Sequence, residues 1–167
     1  MATDKLNFCS PNQLAKNMKE SMRLLGVDLG SKTIGLAVSD PSLKIASPIT
    51  TLKRSKMSSN ATEFSKIIKD YHIGGIVVGL PINMDGTEGP RVQATRDWSL
   101  DLAKTLIMPV AFWDERLSTV AVERMMLKAD MTRSRRAVKI DQAAAAYILQ
   151  GALDNIGTVS YTHLTLP

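Results

Sequence analysis

The sequence predicts an α/β fold in which a mixed five-stranded sheet carries helices on both faces. Three apolar segments, near residues 24–29, 34–39 and 45–50, follow one another through short turns, and this order predicts an antiparallel meander. Two later apolar strands, near 76–79 and 109–113, are each preceded by a helical segment, which predicts right-handed parallel crossovers. We therefore expect the first strand to lie in the centre of the sheet.

The helices are predicted from apolar residues that recur at helical spacing. Leu14, Met18 and Met22, for example, recur every four residues. Ser118 can cap a helix that runs into the following apolar residues. The predicted helices cover residues 10–22, 64–71, 94–106, 118–129 and 139–153.

One folded domain is expected over residues 23–155. Residues 1–22 form an N-terminal extension with a short helix, and residues 1–9 are expected to be loose because they show no apolar period. Residues 156–167 are rich in Thr and Ser and carry no apolar pattern. We expect this tail to be disordered or foreign to the fold.

Composition restricts the classes of partner and compartment. The 167 residues carry a net charge of +5 and have a pI near 9.4, which favours a polyanionic partner such as nucleic acid. The one cysteine, Cys9, excludes an internal disulfide framework and a cysteine-based zinc site. No apolar run has the roughly 20 residues of a membrane span, and no signal peptide is recognisable. We expect no membrane partner and a cytoplasmic protein, or a plastid or mitochondrial one if the N-terminus is the remnant of a transit peptide.

Three acidic positions could meet at one edge of the predicted sheet. Asp28 lies inside an apolar strand, where a carboxylate is costly to bury unless it is paired or binds a metal. Asp114 and Glu115 directly follow the last strand, and Asp141 falls in the first turn of the predicted final helix. Sites in open α/β sheets gather at the carboxyl ends of strands, and carboxylates alone suit Mg²⁺ or Mn²⁺. Asp141 could instead interact with the dipole of a helix, and Asp114 or Glu115 could pair with Arg116. Turn chemistry does not explain an acid inside a strand such as Asp28.

Basic and polar residues near these acids could hold a phosphate backbone. A predicted loop at 131–139 contains no acid, and Lys32 lies in the glycine turn after Asp28. The loop at 80–91 is long enough to be functional, although an Ω-like structural loop is the alternative. The candidate nucleic-acid-binding residues are Lys32, Arg116, Arg133, Arg135, Arg136, Lys139, Asn83 and Arg91.

Four segments, taken together, resemble one bacterial family. They are 26–40, 78–88, 114–119 and 139–145, and the resemblance runs from about residue 23 to 154. The family is YqgF/RuvX, whose members are described as pre-16S ribosomal RNA nucleases and as Holliday junction resolvases. The resemblance implies an RNase H-like three-layer fold. It also implies a catalytic, metal-binding cluster that contains Asp28, Asp141 and one acid of the pair Asp114 and Glu115. Of that pair, Glu115 is slightly favoured.

The expected activity is that of a metal-dependent endonuclease that uses Mg²⁺ or Mn²⁺ on structured nucleic acid. The resemblance favours processing of the 5′ end of precursor 16S rRNA by a monomer or homodimer. Two alternatives stay open: a Holliday junction resolvase acting on branched DNA, and a non-catalytic RNA-binding factor in ribosome assembly. An ATP-binding domain of the actin–sugar kinase type also begins with Asp-x-Gly, but that fold needs a second glycine-rich phosphate loop, which this sequence lacks.

Overall fold

The structure, a computed structural model, describes the backbone of residues 8–117 and 133–165 and the side chains of residues 9–117 and 142–158. Its centre is a mixed sheet of strands β1 to β6 in the spatial order β1-β6-β5-β2-β3-β4. The strands are β1 (Phe8–Cys9), β2 (Arg23–Leu29), β3 (Thr33–Ser39), β4 (Ala46–Lys53), β5 (Ile73–Leu80) and β6 (Val110–Asp114).

The strand directions agree with the predicted topology. β2, β3 and β4 pair in an antiparallel meander, and β5 and β6 join β2 as parallel strands. The predicted mixed five-stranded sheet is therefore confirmed, with the first predicted strand, β2, in its interior. Because β2, β5 and β6 are parallel, their C-terminal ends lie at one edge, which we call the carboxyl edge.

Four α-helices are described, α1 (Pro11–Asn17), α2 (Met57–Tyr71), α3 (Pro90–Leu106) and α4 (Arg133–Thr165), together with a one-turn 3-10 helix (Glu115–Leu117) after β6. α1 begins with a capping box, in which the Ser10 hydroxyl accepts from the Gln13 backbone and the Gln13 side chain accepts from the Ser10 backbone. α2 is capped at its C-terminus by His72, whose φ of 56° is left-handed. The helix predicted over 118–129 lies outside the described residues.

The sheet separates two packed layers. On one face, α4 and α1 cover a core that includes Leu14, Leu24, Ile148 and Leu149. On the other face, α2 and α3 cover bulkier side chains, including Phe64, Ile76 and Leu102. We refer to these as the α4 face and the α2/α3 face. Side chains alternate between them along each strand.

The N-terminal residues differ from the prediction. Phe8 and Cys9 were expected to be loose, but they form β1, a sixth strand parallel to β6 at the edge of the sheet. The helix at 10–22 is shorter than predicted and ends at Asn17. Leu14 is 1% exposed and packs against Gly75 of β5. Two strand residues are too few to show a period, so only pairing with β6 reveals them.

The final helix is longer than predicted at both ends. It begins at Arg133 rather than near Lys139, so the basic segment there is helical and not a loop, and it continues past Leu153 to Thr165. The helix thus extends into the segment that the sequence predicted to be a disordered or foreign tail from residue 156. Ile156 is only 9% exposed and joins the core, and the Asn12 amide donates to Asn155 Oδ1 at 3.3 Å. These tertiary contacts support the helix beyond Leu153, where the sequence predicted its end.

Within the described part of the chain, no helix combines the length and the apolar character that crossing a membrane requires.

Candidate active site

Asp28 lies in β2, one residue before the strand ends at the carboxyl edge. It is 8% exposed, and Gly35 of β3 is its partner across the antiparallel ladder. Two residues earlier, a Cβ on Gly26 would lie 2.7 Å from Leu149 Cβ and 2.9 Å from the Ala145 carbonyl of α4. Because alternate residues of a strand point to the same face, the Asp28 carboxylate lies on the α4 face.

Glu115 reaches the same face from the end of β6. Its Oε1 lies 3.1 Å from the point that a Cβ of Gly79 would occupy, and Ile148 Cδ1 lies 2.5 Å from that point. Val27 pairs with Val78, so the next position along the two parallel strands brings Gly79 beside Asp28. Because Gly79 has no side chain, the Glu115 carboxylate has space above β5, the strand that pairs with the strand of Asp28.

Asp114 has a different environment from that of Glu115. Arg116 Nη2 donates to Asp114 Oδ2 at 2.6 Å, Arg116 Nε lies within 3.1 Å of both carboxylate oxygens, and the Arg116 backbone donates to Oδ1 at 2.9 Å. The hydrogen bond from the Arg116 side chain is the main reason that the pKa of Asp114 is lowered. Of the pair, Asp114 is thus the ion-pair partner of Arg116, and Glu115 is the acid over Gly79.

The backbone of α4 brings Asp141 to the level of Asp28. Gln150 forms hydrogen bonds with the backbone of Ala46 and Lys44, which lie level with the start of β2. Ala145, five residues earlier in α4, packs near Gly26, which lies further along β2. α4 therefore runs antiparallel to β2. Asp28 lies about 6.6 Å beyond Gly26 along the strand. A similar distance toward the start of α4 is about four residues at about 1.5 Å each, which from Ala145 reaches residues 140–141.

Asp141 also has the helical spacing of the residues that face the sheet, since Ala145, Ile148 and Ala152 follow it by four, seven and eleven positions and are all fully buried. It lies in the third turn of α4 and not in the first, because the helix begins eight residues earlier, at Arg133. The side chain of Asp141 lies outside the described residues, as do those of Arg133, Arg135, Arg136 and Lys139. Their placement relative to the acids stays a prediction.

The loop between β5 and α3 is internally bonded. The Asn83 amide donates to Thr87 Oγ1 at 3.0 Å, and the Asp85 carboxylate accepts from the backbone and hydroxyl of Thr87 at 2.9 and 2.6 Å. Arg116 Nη1 lies 3.4 Å from the point that a Cβ on Gly86 would occupy. Asn83, a predicted substrate ligand, therefore shapes the loop, and the loop lies against Arg116.

Lys32 and Arg91 lie at the same edge of the sheet. Both are exposed, Lys32 in the turn after β2 and Arg91 in the first turn of α3. Arg54, which the sequence did not single out, joins them there, since its Nη1 donates to the Gly30 carbonyl at 2.9 Å. The sequence did indicate that Arg54 follows just after the third strand of the meander. That strand runs back to this edge of the sheet.

The oxygen donors at the carboxyl edge fit a hard divalent cation. Asp28 in β2 and Glu115 after β6 supply carboxylates from the two strands that flank β5. Both offer oxygen donors, the kind of ligand that suits Mg²⁺ or Mn²⁺. Among the side chains that the structure describes, no three His, Cys, Asp or Glu residues form a metal-binding group. Asp141, the third predicted ligand, lies outside that set.

Comparison with known proteins gives relatives over most of the chain. A protein from Paramagnetospirillum magneticum is 51% identical over 146 residues, which is 87% of this chain and 94% of the relative. A protein from Roseobacter denitrificans is 55% identical over 142 residues, covering 83% of this chain and 87% of the relative. Both carry the provisional name pre-16S rRNA nuclease.

Solved structures support the fold class. RuvC of Thermus thermophilus, in complex with a Holliday junction substrate, has a TM-score of 0.51 at 16% identity and covers 82% of this chain and 97% of its own. A yeast mitochondrial Holliday junction resolvase has a TM-score of 0.50 at 12% identity and covers 90% of this chain and 86% of its own. At these identities, the likeness concerns the fold alone, which is of the RNase H-like type.

The family comparison matches the chain over the domain that the sequence predicted. The matching model is RuvX, described as Holliday junction resolvase, and it covers residues 22–155. That range contains Asp28, Glu115 and Asp141 and excludes both α1 and the end of α4. The chain belongs to the RuvX family.

Proposed function

We propose that this protein is a nuclease that hydrolyses phosphodiester bonds in structured nucleic acid with the help of divalent metal ions. The observation that carries the proposal is the arrangement around Gly79, where Glu115 lies over a strand whose neighbour presents Asp28 to the same face. The helical spacing of Asp141 adds a third acid at that level. Membership of the RuvX family supports nuclease chemistry for such a cluster.

Each acid has a proposed role. Asp28, Glu115 and Asp141 would hold Mg²⁺ or Mn²⁺, and bound divalent ions would supply activation of a water and stabilisation of the leaving oxygen of a phosphodiester. Asp114 would act indirectly, by holding Arg116 beside the 81–89 loop. Arg116 and Lys32 would contact substrate phosphates, which supply affinity without reading the base sequence.

The proposed substrate is the 5′ end of precursor 16S rRNA. The support for it is the shared name of relatives that are about half identical to this chain over most of its length. A four-way DNA junction is the second candidate, because the matching family model is described as Holliday junction resolvase. Binding of RNA without cleavage is the third possibility. An experiment can distinguish it from the two nuclease activities, because such binding needs neither metal nor turnover.

The test is cleavage by the purified full-length chain of a precursor 16S rRNA fragment and of a four-way DNA junction, each with Mg²⁺ or Mn²⁺. Changes to groups that only support a metal ligand cost about 10–100-fold, so removing a ligand in Asp28→Asn or Glu115→Gln should cost at least about 100-fold. A chelator should stop cleavage. Asp101→Asn, at an exposed position of α3, is the control and should keep the wild-type rate.

The results separate the alternatives. Cleavage of the RNA alone assigns the ribosomal substrate, and cleavage of the junction alone assigns the resolvase. Metal-independent binding without turnover supports the RNA-binding factor instead. Wild-type cleavage by Asp28→Asn would contradict the proposed site.

A further inference from the structure

A cavity of about 180 Å³ lies beside the turn that follows Asp28. Its wall includes Gly30 and Ser31 of that turn, Arg54 after β4, and Arg91 in the first turn of α3. Leu29, which belongs to the core of the α2/α3 face, also lines it. The cavity is therefore at the carboxyl edge, like Asp28, but on the opposite face of the sheet.

Arg54 is fixed to this turn by two contacts. Its Nη1 donates to the Gly30 carbonyl at 2.9 Å, and its backbone N–H donates to the Lys32 carbonyl at 2.9 Å. The side-chain bond uses one of the five N–H donors of a guanidinium. Arg54 thus presents an oriented, permanently charged group to the cavity and also holds both ends of the turn.

Among the described residues, no carboxylate pairs with either of the two arginines that line the cavity, Arg54 and Arg91. Two other arginines do form such pairs, Arg96 with Glu88 and Arg116 with Asp114, each at 2.6 Å. The first turn of α3 contains no acidic residue. Two guanidinium groups and the positive end of a helix dipole therefore favour an anion in this cavity.

The volume limits the size of that anion. The cavity measures about 180 Å³. Sites for whole small molecules usually span about 300–1,000 Å³. The cavity therefore has room for a phosphate group, and a complete nucleotide would extend beyond it.

We propose that this cavity binds a backbone phosphate of the polynucleotide substrate, at a position other than the one that is cleaved. Arg54 and Arg91 donate to the phosphate oxygens. The substrate strand then crosses the turn at residues 30–32, with one phosphate on the α2/α3 face and the scissile bond on the α4 face. This inference rests on the proposed function for the class of ligand, although its test does not require cleavage.

The test measures binding of the full-length chain to single-stranded and duplex RNA at several salt concentrations, with a chelator present so that nothing is cleaved. Each lost phosphate contact should reduce the slope of log affinity against log salt by about 0.7 on a single strand. Arg91→Ala should show this loss together with several-fold weaker binding. Arg54→Lys keeps the charge but loses the planar fork, so it should weaken binding less. Lys69→Ala, in the last turn of α2, removes one exposed charge at the opposite edge and should leave the slope unchanged.

A wild-type slope and wild-type affinity in Arg91→Ala, with unchanged thermal unfolding, would overturn the inference. Inorganic phosphate at constant ionic strength should compete poorly, because it lacks the other contacts of the polymer. Strong competition that disappears in Arg91→Ala would assign the cavity to free phosphate and also overturn the polynucleotide assignment. If the protein binds with the expected slopes but never cleaves, the proposed function fails while this inference stands.

Discussion

The two faces of the sheet are packed in different ways. On the α2/α3 face, large side chains such as Phe64 and Leu102 fill the space between sheet and helices, and both are fully buried. On the α4 face, Gly26 and Gly79 bring the helix so close that a Cβ on either would lie within 2.7 Å of an α4 side chain. The acids lie on this second face. The comparison teaches that both faces bury large side chains that stabilise the fold, whereas the glycines of the α4 face also position a helix and a carboxylate.

The largest expected loss of stability comes from the α2/α3 face. Phe64 is fully buried, with its ring centroid 6.0 Å from that of Trp98. Phe64→Ala should lower the free energy of unfolding by about 3–5 kcal/mol, because it removes apolar contacts and leaves a cavity. Urea denaturation measures this loss, and Phe64→Leu, which keeps more of the volume, should lose less. Cleavage per folded molecule should stay near the wild-type rate, and a selective loss of activity would contradict the division of roles.

A smaller loss of stability is expected when α4 is forced away from the sheet. In Gly26→Ala, the new methyl group meets Leu149 Cβ and the Ala145 carbonyl, and neither can move without the helix. The free energy of unfolding should fall by about 1–3 kcal/mol, as in other overpacked cores. Gly157→Ala is the matched control, because nothing lies within 4 Å of its added Cβ. That control should gain up to about 1 kcal/mol from helix propensity. Equal stability of the two variants would show that the close approach at Gly26 does not matter.

The smallest change in stability, with a clear change in activity, is expected for Gly79→Ala. The nearest atom to the new methyl group is Ile148 Cδ1, at the flexible end of its side chain, so the core can adjust. Glu115 Oε1, 3.1 Å from the same point, must also move. We expect a loss of about 10–100-fold in cleavage rate, comparable to disturbing the support of a metal ligand. Steady-state cleavage together with urea denaturation measures both effects. Wild-type cleavage by Gly79→Ala would argue against Glu115 as a site residue.

Much of the fold could be predicted because its signals are local. The apolar run at Ile76–Gly79 and the meander at 24–50 identified strands of the confirmed sheet. The limits of α4 were misjudged for the opposite reason. Its first turns contain basic residues that resemble a solvated loop, and its later part depends on burial of Ile156 against distant residues. Local propensity is a weak guide where tertiary contacts decide.

The site divides in the same way. Asp28 was recognisable because an acid inside an apolar strand is costly without a partner or a metal. The sequence only slightly favoured Glu115 over Asp114, since adjacent acids after a strand look equivalent. The structure separates them, because Arg116 binds the Asp114 carboxylate while Glu115 extends over Gly79. A glycine inside a buried strand was the available signal for that close approach.

The sequence alone determined the order of the elements, the membership of the RuvX family and the acids that deserve mutation, because apolar periodicity and residue type are written along the chain. Only the tertiary structure decided which acid lies over Gly79, how α4 is aligned with β2, and that Arg54 holds the turn after Asp28. Those facts depend on which strands become neighbours and how closely a helix approaches them. No short segment of sequence carries that information, because the contacting residues are far apart along the chain.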